Sequence, residues 1–433
     1  MGNNVSIGLL GLGVVGSGVI KLIESHQEKL SHQLGCNVDV KGVLVRDLDK
    51  YREVGVDQRI LTTNPDDVIQ NPEIDIIVEV MGGIELAREY ILKAFAAKKH
   101  VVTANKDLVA LYGPELQEAA SNNKCDFYYE ASVAGGIPIL RSINDGLSSD
   151  LIRKVMGIVN GTTNYILTKM DKEGLSYETA LKQAQELGFA EADPTSDVEG
   201  LDAARKMAIL CRLAFSMDVD LNDVEVKGIS SIDLEDLNYA KQLDLTMKLI
   251  GYANFEDQKL DVSVQPTLLS HNHPLSSVNN EYNAVYVYGE AVGETMFYGP
   301  GAGSLPTATA IMSDVVTVIK NMLLNVTGTQ FVEPHFKKDL KAPSERFAQY
   351  YVRMHVKDEV GVLSIISKLF NERKISFKQI LQNPVKEKGT AEIVVVTHQT
   401  SLENFRTAMK QLHELDEVIE IKSNYKVEGD AEE

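Results

Sequence analysis

Residues 5–30 restrict the fold more than any other stretch of the chain. Val5-Ser-Ile-Gly-Leu-Leu10 reads as a short buried strand, and it runs straight into Gly11-Leu12-Gly13-Val14-Val15-Gly16. A helical pattern then continues to about Leu30. Strand, G-x-G-x-x-G, helix is the arrangement by which an open α/β sheet holds a dinucleotide. Gly11 permits the tight turn, Gly13 lets backbone approach the pyrophosphate, and Gly16 lets the helix pack close to the strand. Leu12, Val14 and Val15 complete the cofactor-binding turn, at a helix N-terminus whose free N–H groups and dipole favour an anion.

Further strands follow in the same style. Val38–Val45 ends in Arg46-Asp47: an acid there grips the ribose hydroxyls of NAD, whereas an arginine accepts the 2′-phosphate of NADP. Arg46 comes first, so the reading leans to NADP(H) over NAD(H), although a solvated loop arginine fits the same position. Strand 74–80 reaches Met81-Gly82-Gly83, a helix spans 84–97, and strand 100–106 carries Thr103, Asn105 and Lys106 at its carboxyl end. Ligands of open α/β sheets bind at that end, which directs Thr103 and Lys106 towards the cofactor. Residues 125–140 are expected as a last strand, ending in a glycine-rich turn.

These features predict an α/β chain. A Rossmann-type parallel sheet spans 1–139, completed by about 302–332, where Gly299–Thr307 (with Gly303) opens a late helix back towards the cofactor. An α+β unit with an open mixed sheet spans 140–301, with long helices at 176–187, 197–216 and 233–250. A polar linker at 333–347 precedes a ferredoxin-like βαββαβ unit over 348–427, and an acidic tail closes the chain.

The stretch 186–215, ELGFAEADPTSDVEGLDAARKMAILCRLAF, concentrates the chemistry. Ser196 and Glu199 have capping-box spacing, which starts a helix near Asp197. Asp202 and Lys206 then share a face of a helix that is apolar on nearly all sides and therefore buried. Glu191, Asp193 and Asp197 precede them. An ordinary helix salt bridge explains the spacing alone; buried charge of this density is otherwise placed for function.

Composition narrows the setting. A net charge of −19 over 433 residues, with no basic tract, disfavours a nucleic-acid or anionic-membrane partner. Three dispersed cysteines form neither a disulfide framework nor a zinc spacing and fit a reducing compartment. Cys211 reads as a small core residue. His271 and His273 have no evident third ligand. The first residues lack a signal-peptide pattern and no uninterrupted apolar run reaches membrane-spanning length, so a cytoplasmic protein is expected.

GLGVVG (11–16), TANK (103–106), EASVAGGIP (130–138), NGTTNYIL (160–167), GFAEADPTSDVEGLDAARK (188–206) and GPGAGSLPTA (299–308) together resemble the homoserine dehydrogenase family, in its monofunctional bacterial form. The resemblance covers nearly the whole chain. It implies reversible, NAD(P)-linked interconversion of L-homoserine and L-aspartate 4-semialdehyde, in threonine, methionine and isoleucine biosynthesis. Lys206 then matches the proton donor/acceptor and Lys106 the second active-site lysine. Glu191 matches the acid holding the substrate amino group, Asp197 and Asp202 the acids around it, and Gly161 and Thr162 a turn beside nicotinamide and substrate. Glu130, Val133, Gly135 and Ile137 resemble a monovalent-metal site, usually for Na⁺. Phe189 stands where some members have tyrosine.

The C-terminal unit resembles an ACT domain, whose ligand position falls at Asp358, Gly361, Val362 and Leu363. The resemblance implies threonine as effector; a dimerisation module that does not respond fits the same residues. The resemblance also implies that 140–301 is the substrate-binding and dimerisation domain, of a homodimer or homotetramer. Two other functions stay open on the residues. A thioester-forming semialdehyde dehydrogenase needs an activated cysteine beside a histidine, which the sequence does not offer. A non-catalytic sensor of dinucleotide and amino acid has no use for a buried lysine.

Overall fold

The computed structural model describes residues 4–50, 54–329, 334–384 and 389–429. The N-terminal Met1–Asn3 and most of the acidic tail lie outside them.

The first unit runs β1 (Val5–Leu10), α1 (Val14–Ser25), α2 (Gln27–Leu34), β2 (Val38–Leu44), β3 (Leu61–Thr62), α3 (Asp66–Ile69), β4 (Ile76–Glu79), α4 (Glu85–Ala96), β5 (His100–Thr103), α5 (Lys106–Asn123) and β6 (Phe127–Tyr128). The strands form a six-stranded parallel sheet ordered β3-β2-β1-β4-β5-β6. The order in which successive strands are added reverses between β1 and β4, which opens the ligand crevice at their carboxyl ends. The strand expected over 125–140 keeps only Phe127–Tyr128 in the ladder. Ala134 and Gly135 both take positive φ, so the chain leaves the sheet as a turn and enters the short helix α6 (Ile139–Arg141).

The middle unit runs β7 (Ile152–Ile158), α7 (Gly161–Glu173), α8 (Tyr177–Glu186), α9 (Thr195–Val198), α10 (Leu201–Phe215), β8 (Glu225–Val226), α11 (Leu234–Gln242), β9 (Leu245–Glu256), β10 (Lys259–Ser270), β11 (Tyr282–Gly289), β12 (Gly293–Pro300) and α12 (Ser304–Leu324). Two sequence expectations change here. The helix expected over 197–216 is broken by Gly200 at φ +80, so α10 starts at Leu201. The helix expected over 233–250 ends at Gln242; Asp244 at φ +60 turns the chain into the long strand β9. That strand is buried on both faces over most of its length, and a two-sided apolar run has no period that separates strand from helix.

Helix α12 is long and apolar enough to cross a membrane by length and composition, but 56% of that window is buried inside the protein. It packs on α1, where a Cβ on Gly18 would come within 2.6 Å of the Ser304 carbonyl oxygen, and Ser304 Oγ donates to the Val14 carbonyl at 2.7 Å.

The last unit runs β13 (Phe347–Lys357), α13 (Val362–Glu372), β14 (Phe377–Pro384), β15 (Thr390–Thr397), β16 (Thr400–Ser401), α14 (Leu402–His413) and β17 (Val418–Glu428). Its sheet order β17-β13-β15-β14 is ferredoxin-like. It does not form a separate sheet. Parallel pairing of Thr267–Leu269 on β10 with Lys426–Glu428 on β17 joins it to the middle unit, giving the continuous order β12-β11-β7-β9-β10-β17-β13-β15-β14.

The expected linker is docked as well. Phe336 bridges Met217, Leu340 bridges Leu260, and Phe336 packs on Phe255 with ring centroids 5.0 Å apart. A buried charge cluster fastens the same junction. Asp236 on α11 accepts from Arg353 Nε at 2.7 Å, Ser423 Oγ at 2.6 Å and Tyr425 OH at 2.9 Å.

Candidate active site

The site assembles where β7 ends, α7 begins and α10 passes beneath. Asn160 caps α7 by accepting from Thr163 N–H at 2.9 Å. Gly161 can have no side chain there, because a Cβ would come within 2.6 Å of the Glu281 carbonyl oxygen. Helix α10 presents Asp202 and Lys206, both buried, to this turn.

Lys206 Nζ donates to Asp202 Oδ2 at 2.7 Å and to the Val159 carbonyl at 2.6 Å. Lys106, the first residue of α5, reaches the other oxygen, Asp202 Oδ1, at 3.0 Å. Asn160 Nδ2 completes the cluster, donating to Asp202 Oδ2 at 2.9 Å and to Asp197 Oδ1 at 2.7 Å. Thr162 Oγ1 donates to the Phe189 carbonyl at 2.6 Å and lies 3.3 Å from Asp197 Oδ2.

The electrostatics follow from this geometry. Burial alone would raise the Asp202 carboxyl, but Lys206 and Lys106 outweigh it and hold the group well below the usual carboxylate range. Burial would lower Lys106, and Asp202 overcomes that to hold its ammonium above the ordinary value. Asp197 is pushed up by burial, against the hydrogen bond from Asn160. One ionised carboxylate therefore balances two ammonium groups. Because an ammonium has three donors, Lys206 keeps one beyond its bonds to Asp202 and Val159.

Glu191 stands apart from the cluster. It is exposed on the loop after α8, its carbonyl accepts from Gln185 Nε2 at 3.1 Å, and no hydrogen bond or ion pair joins its carboxylate to Lys206, Asp202 or Asp197.

A cavity of about 620 Å³ lies at the carboxyl ends of β1, β2 and β4. Gly11, Leu12, Gly13, Arg46, Lys50 and Met81 are among its walls. Gly11 sits at φ +108, where a Cβ would press Met81 and the Val80 carbonyl at 2.8 Å, whereas the Cβ direction of Gly13 is open. Gly13 lines this space, and no side chain caps α1 there. A dinucleotide pyrophosphate fits these features. Thr103 does not reach the cavity: its hydroxyl donates to buried Glu79 at 2.6 Å and braces the Asn105 N–H at 3.0 Å. Gly303, at φ +120, starts α12 beside α1.

At the candidate metal turn, both Glu130 carboxylate oxygens accept backbone N–H groups, from Leu140 and Arg141 at 2.8 Å each. The Ile137 carbonyl accepts from Ile139 N–H. Among the described residues no hydrogen bond reaches the carbonyls of Val133 or Gly135. Free carbonyls on a tight turn suit a hard monovalent cation. In the C-terminal unit Gly361, at φ +97, starts α13 with no side-chain cap; Val362 is buried, and Asp358 and Leu363 are exposed beside it.

Three participants were missed in the sequence. Asn160 was legible as a helix cap, and Lys50 lay four residues beyond Arg46. Asn283 carried no signal: it is buried beside Gly161 and Gly301, and neither atom of its amide has a hydrogen-bond partner among the described residues.

Residues 138–316 match the family model described as homoserine dehydrogenase, and residues 11–130 match that of its NAD-binding domain. A homoserine dehydrogenase of Bacillus subtilis (strain 168) is 62% identical over 426 residues, 98% of each chain. The chain belongs to the homoserine dehydrogenase family. It is an oxidoreductase with a nicotinamide-dinucleotide-binding unit. Residues 352–420 match an ACT domain like that of AHAS small subunits. A homoserine dehydrogenase of Corynebacterium glutamicum is 42% identical over 436 residues, 99% of this chain and 97% of its own. Among solved structures, the homoserine dehydrogenase of Thiobacillus denitrificans superposes with a TM-score of 0.91 at 37% identity, covering 99% of both chains.

Proposed function

We propose that this homoserine dehydrogenase interconverts L-homoserine and L-aspartate 4-semialdehyde, with NADP(H) preferred and Lys206 as proton donor and acceptor. The observation that carries the reading is the Asp202 carboxylate held between Lys206 at 2.7 Å and Lys106 at 3.0 Å. Hydride arrival at an aldehyde carbon builds negative charge on its oxygen, and a fixed ammonium stabilises that charge and supplies the proton. Lys206 is aimed by two of its donors and offers the third to the substrate oxygen. Lys106 adds a second positive charge beside it. In the reverse direction Lys206 takes the hydroxyl proton. Asp197 and Glu191 select an α-amino substrate by facing its ammonium; Glu191 does so by moving in from its exposed loop. The nicotinamide, when bound, supplies or accepts the hydride.

Arg46 and Lys50, both at the cavity wall after β2, favour a 2′-phosphate. The carbonyls of Val133 and Gly135, with Glu130 and Ile137, would hold a sodium ion at the turn packed on Gly299–Gly301. Threonine acts through the ACT domain, and exposed Tyr288, Met296 and Tyr298 on β11 and β12 provide a face for a homo-oligomer. A steady-state assay with aspartate semialdehyde and each cofactor, with and without threonine, tests this set. Oxidation of NADPH faster than NADH, slowed by threonine, is expected. No consumption at high enzyme concentration leaves the non-catalytic sensor.

A further inference from the structure

The long sheet carries a second concentration of buried charge, remote from the Lys206 cluster. Strand alternation sends Val155, Leu249 and Leu268 to the core beneath α7 and α10, and sends Met156, Tyr252 and Leu269 to the opposite face.

 That opposite face is made by Met156, Tyr252 and Leu269, a cluster separate from the helix-side core. On it, where the middle unit meets the ACT domain, lies a cavity of about 520 Å³, within the ~300–1,000 Å³ usual for small-molecule sites.

Its walls carry both signs of charge. Lys154 on β7 pairs with Glu428 on β17 at 2.7 Å, and Arg346, just before β13, lies 2.6 Å from Asp261 on β10. Asp261 is 9% exposed. Although close, Arg346 Nε and Asp261 Oδ1 are not aligned as a hydrogen bond, and neither atom has another hydrogen-bond partner among the described residues. Buried Lys426 stands over the Tyr252 ring, 3.1 Å from its centroid. Ion pairs in such places are commonly less stabilising than apolar packing of the same volume. Charges of both signs around one cavity match a small ligand that bears both, although Arg346 also pairs with Glu225 at 2.8 Å through Nη1.

We propose that this cavity, lined by Lys154, Arg346, Asp261 and Glu428, is a site for a free α-amino acid zwitterion that bridges the catalytic and ACT units. The carboxylate lies towards Arg346 and Lys154, the ammonium towards Asp261 and Glu428. The inference rests on the reading that the ACT domain responds to an amino acid, and it places that amino acid at the β10–β17 seam instead of at the start of α13. Strand β7 links the two sites: it carries Lys154 at the cavity and leads to Val159, whose carbonyl holds Lys206.

The test is calorimetric titration of the full-length protein with L-threonine, L-threoninol, which lacks the carboxylate, and N-acetyl-L-threonine, which lacks the ammonium. Both analogues are expected to bind the wild type at least about tenfold more weakly, the equivalent of one charge-assisted contact. Lys154→Met and Asp261→Asn are each expected to weaken L-threonine by about tenfold or more, with basal dehydrogenase activity retained, while Asp358→Asn binds as the wild type does. Loss of binding in Asp358→Asn alone, or equal binding of the analogues, overturns the cavity site and leaves the regulatory reading standing. Absence of L-threonine binding to the wild type overturns both. A fall in oligomeric mass of Lys154→Met or Asp261→Asn with an unchanged dissociation constant assigns the cavity to a second copy of the chain and overturns the proposal.

Discussion

Lys206 and Asp202, one turn apart on α10, form a 2.7 Å ion pair whose carboxylate binds the Lys106 ammonium with its other oxygen. The arrangement places one carboxylate between two positive charges in a partly dry cleft. It also fixes the direction of Lys206, which a lysine on a flexible four-carbon stem does not have by itself.

Asp202→Asn removes that balance. The two ammoniums then disfavour each other's charge, so the alkaline limb of the kcat/KM profile is expected to move to lower pH, with kcat down by about 10²-fold. A pH–rate profile superimposable on the wild type would contradict this. Stability carries the same signature. Because the folded Asp202 titrates below its ordinary range, its contribution is present above the unfolded value of about 3.9 and is lost as pH falls towards the folded one.

Asp314 has the opposite sign. Burial first, then repulsion from Glu130, pushes it up to about 8. Its contribution is fully present below the unfolded value of about 3.9 and is lost as pH rises towards the folded one. Asp314→Asn is expected to flatten the dependence of Tm on pH across that window, read by thermal unfolding in sodium-free buffers. An unchanged slope would count against the assignment.

Arg353 joins the ACT sheet to α11 through Asp236, Asp233 and Glu392. Arg353→Met leaves Asp236 buried without its cation, a change that costs about 3–5 kcal/mol. Denaturant unfolding measures it; a loss below about 1 kcal/mol, the range of exposed pairs, would show that the junction is held by other contacts.

Arg46 and Lys50 set the cofactor expectation. Arg46→Ala is expected to reduce kcat/KM for NADPH about tenfold, one charge-assisted contact, with little change for NADH. Equal losses with both cofactors would mean that neither cation meets a 2′-phosphate.

Much of this was readable in the chain. The glycine turn at 11–16 and the Asp202–Lys206 spacing are local, and local patterns survive into the fold. What escaped depends on distant partners. The βαββαβ strand order is visible in the pattern of 347–428, but nothing in it says that Lys426–Glu428 will pair with Thr267–Leu269. Gly200 looks like a tolerable helix residue until Val226 and Val264, 3.1 and 3.2 Å from where its Cβ would stand, show how closely the turn packs. Thr103 lies at the expected strand end, yet buried Glu79 claims its hydroxyl. Spacing also cannot say that Glu191, next to the cluster in sequence, is exposed.

The most direct test of the central claim compares Lys206→Ala with the wild type in two measurements: single-turnover oxidation of NADPH by aspartate semialdehyde, and NADPH binding by fluorescence titration. The account predicts a hydride-transfer rate lower by about 10²–10⁴-fold with a nearly unchanged dissociation constant for NADPH. A variant that turns over at the wild-type rate would show that the proton comes from elsewhere.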